Sequence, residues 1–505
     1  MHKHTLHPLA AAISAFFLTS QNLWAEQTDT SGNIFGQFSQ GATNSAGNGD
    51  VGADIPSESV IRVGPLSLVG QTGMNGALAS TLNRGGATAG SGGGAVFGGS
   101  SSGGAGGDGS IGAPAMSPAA GGQGGAVSAN TVRLTGSGGL ETEKIVLHGA
   151  AGGNGGEPRH GGSGAGGPGG GSVFGGMSTG GAAGYGISAL SAYANGGNGG
   201  DVKANHVELT HVELNGGVGG NSGNVLSAGG LGGGGQGGAG GGSVFGGWSS
   251  GGAGGTAFAQ NTQVEAATLA NSNGGNGGNV SGNTVTLAEV ILHGAAGGAG
   301  GRGGPDGGGG GQGGIGGGSD FGRFSGGGAG GDSSFTYGFA YDFFDGGNGG
   351  TVTENNVVLT NVTLSGAAGG IGGIGGTGAA GESGAGQAGL DGGSVFGGFS
   401  SGGAGGESQG TVGNGGLGGD VAKNFVSIAG KSSIDGNIYG GYSQGGKSGD
   451  TDSAGQGGLV ENNTVTLIGS ELLIPGAIYG GYSVDGNGTP DATKAFTGNT
   501  LSLQG

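Results

Sequence analysis

The sequence predicts an all-β chain built as a parallel β-solenoid, a stack of coils sharing one hydrophobic column and carrying long glycine-rich loop insertions. Three observations predict it. An aromatic-centred block recurs along the chain, short apolar segments of period two recur between the blocks, and no segment after the leader has helical periodicity.

The block reads Gly-Gly-Ser-Val-Phe-Gly-Gly around Phe174, Phe245 and Phe396, with looser copies around Phe97 and Phe321. Successive phenylalanines lie 77, 71, 76 and 75 residues apart. Toward the C-terminus it becomes NIYGGYS at Tyr439 and AIYGGYS at Tyr479, 40 residues apart, and near the start it is NIFGQFS at Phe35.

Between the blocks lies V-x-x-N-x-V-x-L or a close variant: Val127/Asn130/Val132/Leu134, Val202/Asn205/Val207/Leu209, Val280/Asn283/Val285/Leu287, Val352/Asn355/Val357/Leu359, Val421/Asn424/Val426/Ile428, Val460/Asn463/Val465/Leu467 and Phe496/Asn499/Leu501/Leu503. Alternating apolar residues, many β-branched, predict short strands with one buried face. In three units the pattern runs on as V-x-L-x-x-V-x-L, as in Val207, Leu209, Val212 and Leu214. Strict alternation would turn the second pair outward, so the two-residue interval predicts a corner that lets both pairs point inward. One such coil cannot bury its apolar face alone; stacked coils can. The recurring asparagines, Asn130 through Asn499, suit either local turn geometry or an amide ladder from coil to coil.

The remaining glycine-rich stretches, such as 149–171, 294–318 and 366–393, lengthen a unit of about 40 residues to about 75, which loops tolerate because closure entropy grows slowly with length. They are lateral excursions, either flexible loops or a packed bundle of GGx strands in polyproline-II-like conformation.

At the N-terminus, Lys3, the apolar stretch 9–18 and a polar segment ending Leu23-Trp24-Ala25 form the three parts of a secretory signal peptide, with cleavage expected after Ala25. No other stretch approaches the roughly 20 apolar residues of a membrane-spanning helix. The domain plan is then residues 1–25 as leader, 26–90 beginning the solenoid, 91–420 as expanded units and 421–505 as compact units. The compact segment is expected to be the best ordered, because its insertions are shortest.

One of 13 basic residues leaves with the leader, so 12 basic face 31 acidic residues, a net −19 that disfavours nucleic acid and anionic lipid as partners. Cysteine is absent, so neither disulfides nor thiolate chemistry contribute.

Windows that look chemical recur with the unit. G-x-S-x-G surrounds Ser101, Ser178, Ser249, Ser400 and Ser443, whereas a nucleophile elbow needs one serine with a placed His and acid, so recurrence predicts turns. His148, His160, His206, His211 and His293 are scattered, and none has carboxylates at metal-ligand spacing. Gly196 to Asp201 and Gly415 to Asp420 match the start of a calcium-binding nonapeptide, but Lys203 and Ala422 occupy its apolar position. No catalytic residue, cofactor or metal ligand is expected.

With the leader, N-T-V-T-L at 283–287 and 463–467, and the NIYGGYS-type blocks at 437–443 and 477–483, the chain resembles the repetitive passenger region of Gram-negative autotransporter surface proteins. The resemblance implies a right-handed parallel β-helix on the cell surface acting in adhesion, aggregation or biofilm formation. Partners would be host or neighbouring-cell surface molecules, or further copies of the chain. Such passengers precede a membrane β-barrel anchor, a pattern these 505 residues do not contain. Two alternatives remain: a secreted hydrolase carried on a β-helix, for which Asp50, Asp54 and Glu58 stand in the least repetitive stretch, and a glycine-rich structural envelope or matrix protein similar in composition to mycobacterial PGRS proteins.

Overall fold

In the computed structural model the chain is all-β and its strands stack in parallel, coil on coil. The described residues are 27–28, 34–40, 50–72, 94–106, 117–118, 120–137, 144–152, 154, 165, 168–183, 185–188, 191–222, 234–237, 239–259, 268–302, 310–311, 315–330, 332–335, 340–373, 377–378, 381–382, 385–388, 390–408, 411–448, 453–490 and 497–505. The leader, His160 and Phe496 lie outside them.

Each coil contributes to four parallel sheets. The aromatic sheet carries the VFGG-type blocks, for example Val244–Ser250 on Asp320–Gly326 with Phe245 opposite Phe321. A narrow valine sheet follows, with Val127–Ser128, Val202–Lys203 and Val280–Ser281 in register. Next comes a broad eight-stranded sheet that includes Thr131–Thr135, His206–Thr210 and Thr284–Ala288. A six-stranded sheet, including Ile145–His148 and Val212–Asn215, closes the coil.

The corners depend on single residues in left-handed conformation. Between the valine sheet and the broad sheet this is Ala129, Ala204, Glu354, Lys423 or Asn462, at φ of 52–61°. It is therefore the residue before the column asparagine that adopts the left-handed turn. Between the broad and six-stranded sheets it is His211, Glu289 or Asn361, φ 53–55°, in the interval where the sequence predicts a corner. Val207, Leu209, Val212 and Leu214 accordingly all point inward, each at most 1% exposed.

Inside the coil, Val, Leu and Ile from every unit form one continuous core. Beside it the aromatic residues stack: Phe97, Phe174, Phe245, Phe321, Phe396, Tyr439 and Tyr479 have successive ring centroids 4.7–5.1 Å apart and nearly parallel planes. A second column runs Trp248, Phe324, Phe399, Tyr442, Tyr482. Rings repeated at the strand spacing stack with parallel planes in the first column and tilt or meet edge-on in the second, contacts that add to area burial.

The glycine-rich insertions are packed wherever they are described. Gly181 N–H donates to Gly122 O, Gly197 to Gly181, Gly252 to Gly197, Gly275 to Gly252 and Gly328 to Gly275, a zigzag of outgoing and returning segments. Within one segment, Gly196 and Gly199 donate to Asn273 and Asn276 of the next coil, while Gly197 between them donates sideways. Donors that recur every third residue are those of a threefold extended helix, so these stretches take the polyproline-II-like alternative. A second zigzag runs through Gly170, Gly217, Gly241, Ala295 and Gly317, and a third through Gly235, Gly301, Gly311, Gly373 and Gly386. Glycine is required at such points: a Cβ on Gly197 would overlap the carbonyl of Gly122. Farther out, the first insertion carries two parallel sheets of its own, one with Tyr185–Ser188 and Thr256–Ala259, the other with Ser191–Tyr193 and Thr268–Asn271.

The 40-residue units enter the same ladders as the longer ones. Val421 pairs with Val352 on one side and Val460 on the other, in the same register.

Candidate interaction face

The serines of the G-x-S-x-G windows lie in strands of the aromatic sheet or directly beside them, not in turns. Ser101, Ser178, Ser249, Ser400 and Ser443 are fully buried, and Ser325 and Ser483 occupy the same column. Each hydroxyl is committed: Ser178 Oγ donates to Gly125 O at 2.9 Å and accepts from Gly200 N at 2.9 Å, and Ser249 Oγ repeats this with Gly200 O and Gly278 N. They join the aromatic sheet to the glycine segments leading into the valine sheet. None is within hydrogen-bond reach of a histidine in these arrangements.

The buried column asparagines form the ladder alternative. Asn205 Oδ1 accepts both the backbone N–H of Asn130, at 3.0 Å, and its Nδ2, at 2.8 Å; Asn283 Oδ1 accepts the same pair from Asn205. The ladder resumes from Asn355 through Asn424 and Asn463 to Asn499. Between Asn283 and Asn355 it is broken, and Asn283 Nδ2 and Asn355 Oδ1 are buried without a partner among the described residues.

Among the described residues, one carboxyl sits in the core. Asp320 occupies the column position held by Val244 and Val395 in the neighbouring coils; it is fully buried and neither carboxyl oxygen has a partner among the described residues. Burial pushes its pKa well above the ordinary value. Tyr439 is pushed up to about 12 by burial and by the neighbouring Tyr479, so its phenol stays neutral. Asp201, in the first nonapeptide-like window, forms an ion pair with Lys203 at 2.6 Å and accepts the N–H of Asn279. Asp420 accepts the N–H of Leu459. No cluster of three metal-ligating side chains occurs among the described residues. His206 and His211 are half-buried on the outer side of the coil, and His206 lies 3.6 Å from Glu208.

An extended polar feature lies on the returning glycine segments, where N-G-G-N-G-G places one side chain outward at every third residue. Asn195, Asn273, Asp345 and Asn414 form one outer column, and Gln123, Asn198, Asn276, Asn348, Leu417 and Gln456 the next. Each Oδ1 is fixed by the following coil: Asn198 Oδ1 accepts Asn276 N at 2.8 Å, Asn276 Oδ1 accepts Asn348 N, and Asn348 Oδ1 accepts Leu417 N. These side chains flank a groove of about 820 Å³ that crosses six coils, and its floor is the buried glycine backbone. At roughly 4.8 Å per stacked strand, six coils extend about 24 Å. Sequence reasoning weighed this N-G-G-N-G-G element only against calcium binding; its recurrence at successive units is the signal for the grid.

The chain matches no family model, no curated protein and no solved structure.

Proposed function

We propose that this chain is the surface-exposed, non-enzymatic part of an exported bacterial envelope protein, acting in adhesion, aggregation or biofilm formation. One observation carries the reading: the serines of the catalytic-looking windows are buried and bonded inside the stack, while the outer polar features repeat coil after coil. A repeated face suits many weak contacts made at once, whose combined strength exceeds that of any single one. The leader, the resemblance to autotransporter passengers and the negative charge, which disfavours phosphate polymers, support the same reading.

The test is display of the full chain on a non-aggregating bacterium, with settling of the culture and retention on surfaces as readouts. Faster settling or greater retention than the empty display system is the expected result. Glycoside hydrolysis by the purified chain, abolished in Asp54→Asn or Glu58→Gln, would replace this reading with the hydrolase alternative.

A further inference from the structure

We propose that the groove across the outer asparagine columns binds a linear, neutral polysaccharide laid along the stack. This rests on the adhesive reading and names its ligand class.

Charge narrows the ligand first. Among the described residues Asp345 is the single charged one lining the groove, and its Oδ1 already accepts Asn414 N and Nδ2 at 2.8 and 3.1 Å. The chain as a whole carries −18. Anionic polymers find no cation here, and cationic ones no row of carboxylates.

The free groups narrow it further. With Oδ1 held by the next coil, Asn198, Asn276 and Asn348 each keep an Nδ2 amide that makes no bond among the described residues, and all three side chains are exposed. They form a comb of N–H donors, one per coil, with a second lone pair on each oxygen. A neutral ligand that satisfies it carries a matching row of hydroxyl and ether oxygens.

An extended peptide is disfavoured by the floor. Gly196 and Gly199 donate to Asn273 O and Asn276 O, and Gly274 and Gly277 to Asp345 O and Asn348 O. The backbone amides are consumed along the axis, so strand addition, which depends on free main-chain groups, has nothing to pair with. An open groove crossing six coils suits a polymer rather than a small molecule, since a compact ligand would leave most of the comb unused. In an extended glycan, successive sugar units advance by a length comparable with one coil, and the flat glycine floor admits such a ribbon.

The experiment measures retention of the purified mature chain on microcrystalline cellulose, chitin, cross-linked dextran and immobilised heparin. The wild type is expected to be retained on cellulose or chitin, with retention unchanged in 0.5 M NaCl. The triple variant Asn198→Asp, Asn276→Asp, Asn348→Asp keeps each Oδ1 acceptor and removes each amide donor; bound fraction should fall tenfold or more while the circular dichroism stays the same. If the triple variant fails to fold, Gln123→Leu with Gln456→Leu replaces it, because neither amide bonds to the described chain; the bound fraction should fall at least threefold.

Retention on none of the neutral glycans, retention undiminished in the folded variants, or salt-sensitive retention on heparin alone each overturns the proposal. The cell-settling assay separates the two readings. A displayed chain that settles cells but binds no neutral glycan removes this inference and leaves the adhesive one, whereas glycan binding without settling or surface retention does the reverse.

Discussion

At Asp320 a carboxyl replaces the valine of the neighbouring coils, and its burial has a measurable consequence. Its folded-state pKa lies above the unfolded value, so the folded chain retains a proton that the unfolded chain releases. Stability tied to that proton is complete below the unfolded pKa and declines as pH rises through the folded one. Asp320→Val is expected to stabilise the chain near neutral pH by about 1–3 kcal/mol and to flatten the fall in stability above pH 4. Denaturant midpoints at several pH values check this; a variant no more stable at pH 7 than the wild type would refute it. The opposite case is Asn205. Asn205→Ala strips Asn130 of the acceptor for both its backbone N–H and its amide, with an expected loss of about 1–3 kcal/mol. A midpoint shift under about 0.5 kcal/mol would show that the ladder is not stabilising.

At the scale of elements, Phe245 lies between Phe174 and Phe321 in the stacked column, so Phe245→Ala should cost about 3–5 kcal/mol, read as a lower melting temperature. Gly197→Ala places a methyl group against the Gly122 carbonyl and is expected to cost about 1–3 kcal/mol, whereas Asn198→Ala, one residue on and outward-facing, should cost less. Equal effects at the two positions would argue against packed glycine segments. The strands and the corner at His211 were legible because period two and its two-residue interruption are written in Val and Leu. The corner before Asn205 was less so, since the left-handed residue there is Ala204, whose type does not announce it. Glycine carries no side-chain period, so the choice between loop and packed segment stayed open in the sequence. Met177, Trp248, Phe324 and Phe399 share a column but differ in type, which hid the second stack.

For the whole molecule, stability is the sum of coils and of the contacts between adjacent ones. Deleting residues 202–279 joins Asp201 to Val280, which already occupy the consecutive ladder positions of Asp201 and Val202. The shortened chain should fold with all its columns in register, giving the same β-type circular dichroism and a melting temperature within a few degrees. Removing 40 residues from the same region instead joins unlike faces and should abolish the β signal. The sequence-based expectation that 421–505 is the best ordered segment rested on loops being loose. The packed glycine zigzags weaken that reason, and limited proteolysis that cuts both regions equally would be consistent with them.

Two of the buried defects are neighbours. Asn283 belongs to one coil, Asp320 and Asn355 to the next, and the asparagine ladder skips the junction between them. On either side the amide ladder is continuous for three coils or more. A stack pulled from its two ends would therefore open at that plane first, as timber splits at a knot, leaving two shorter stacks with their columns intact and joined by the continuous chain.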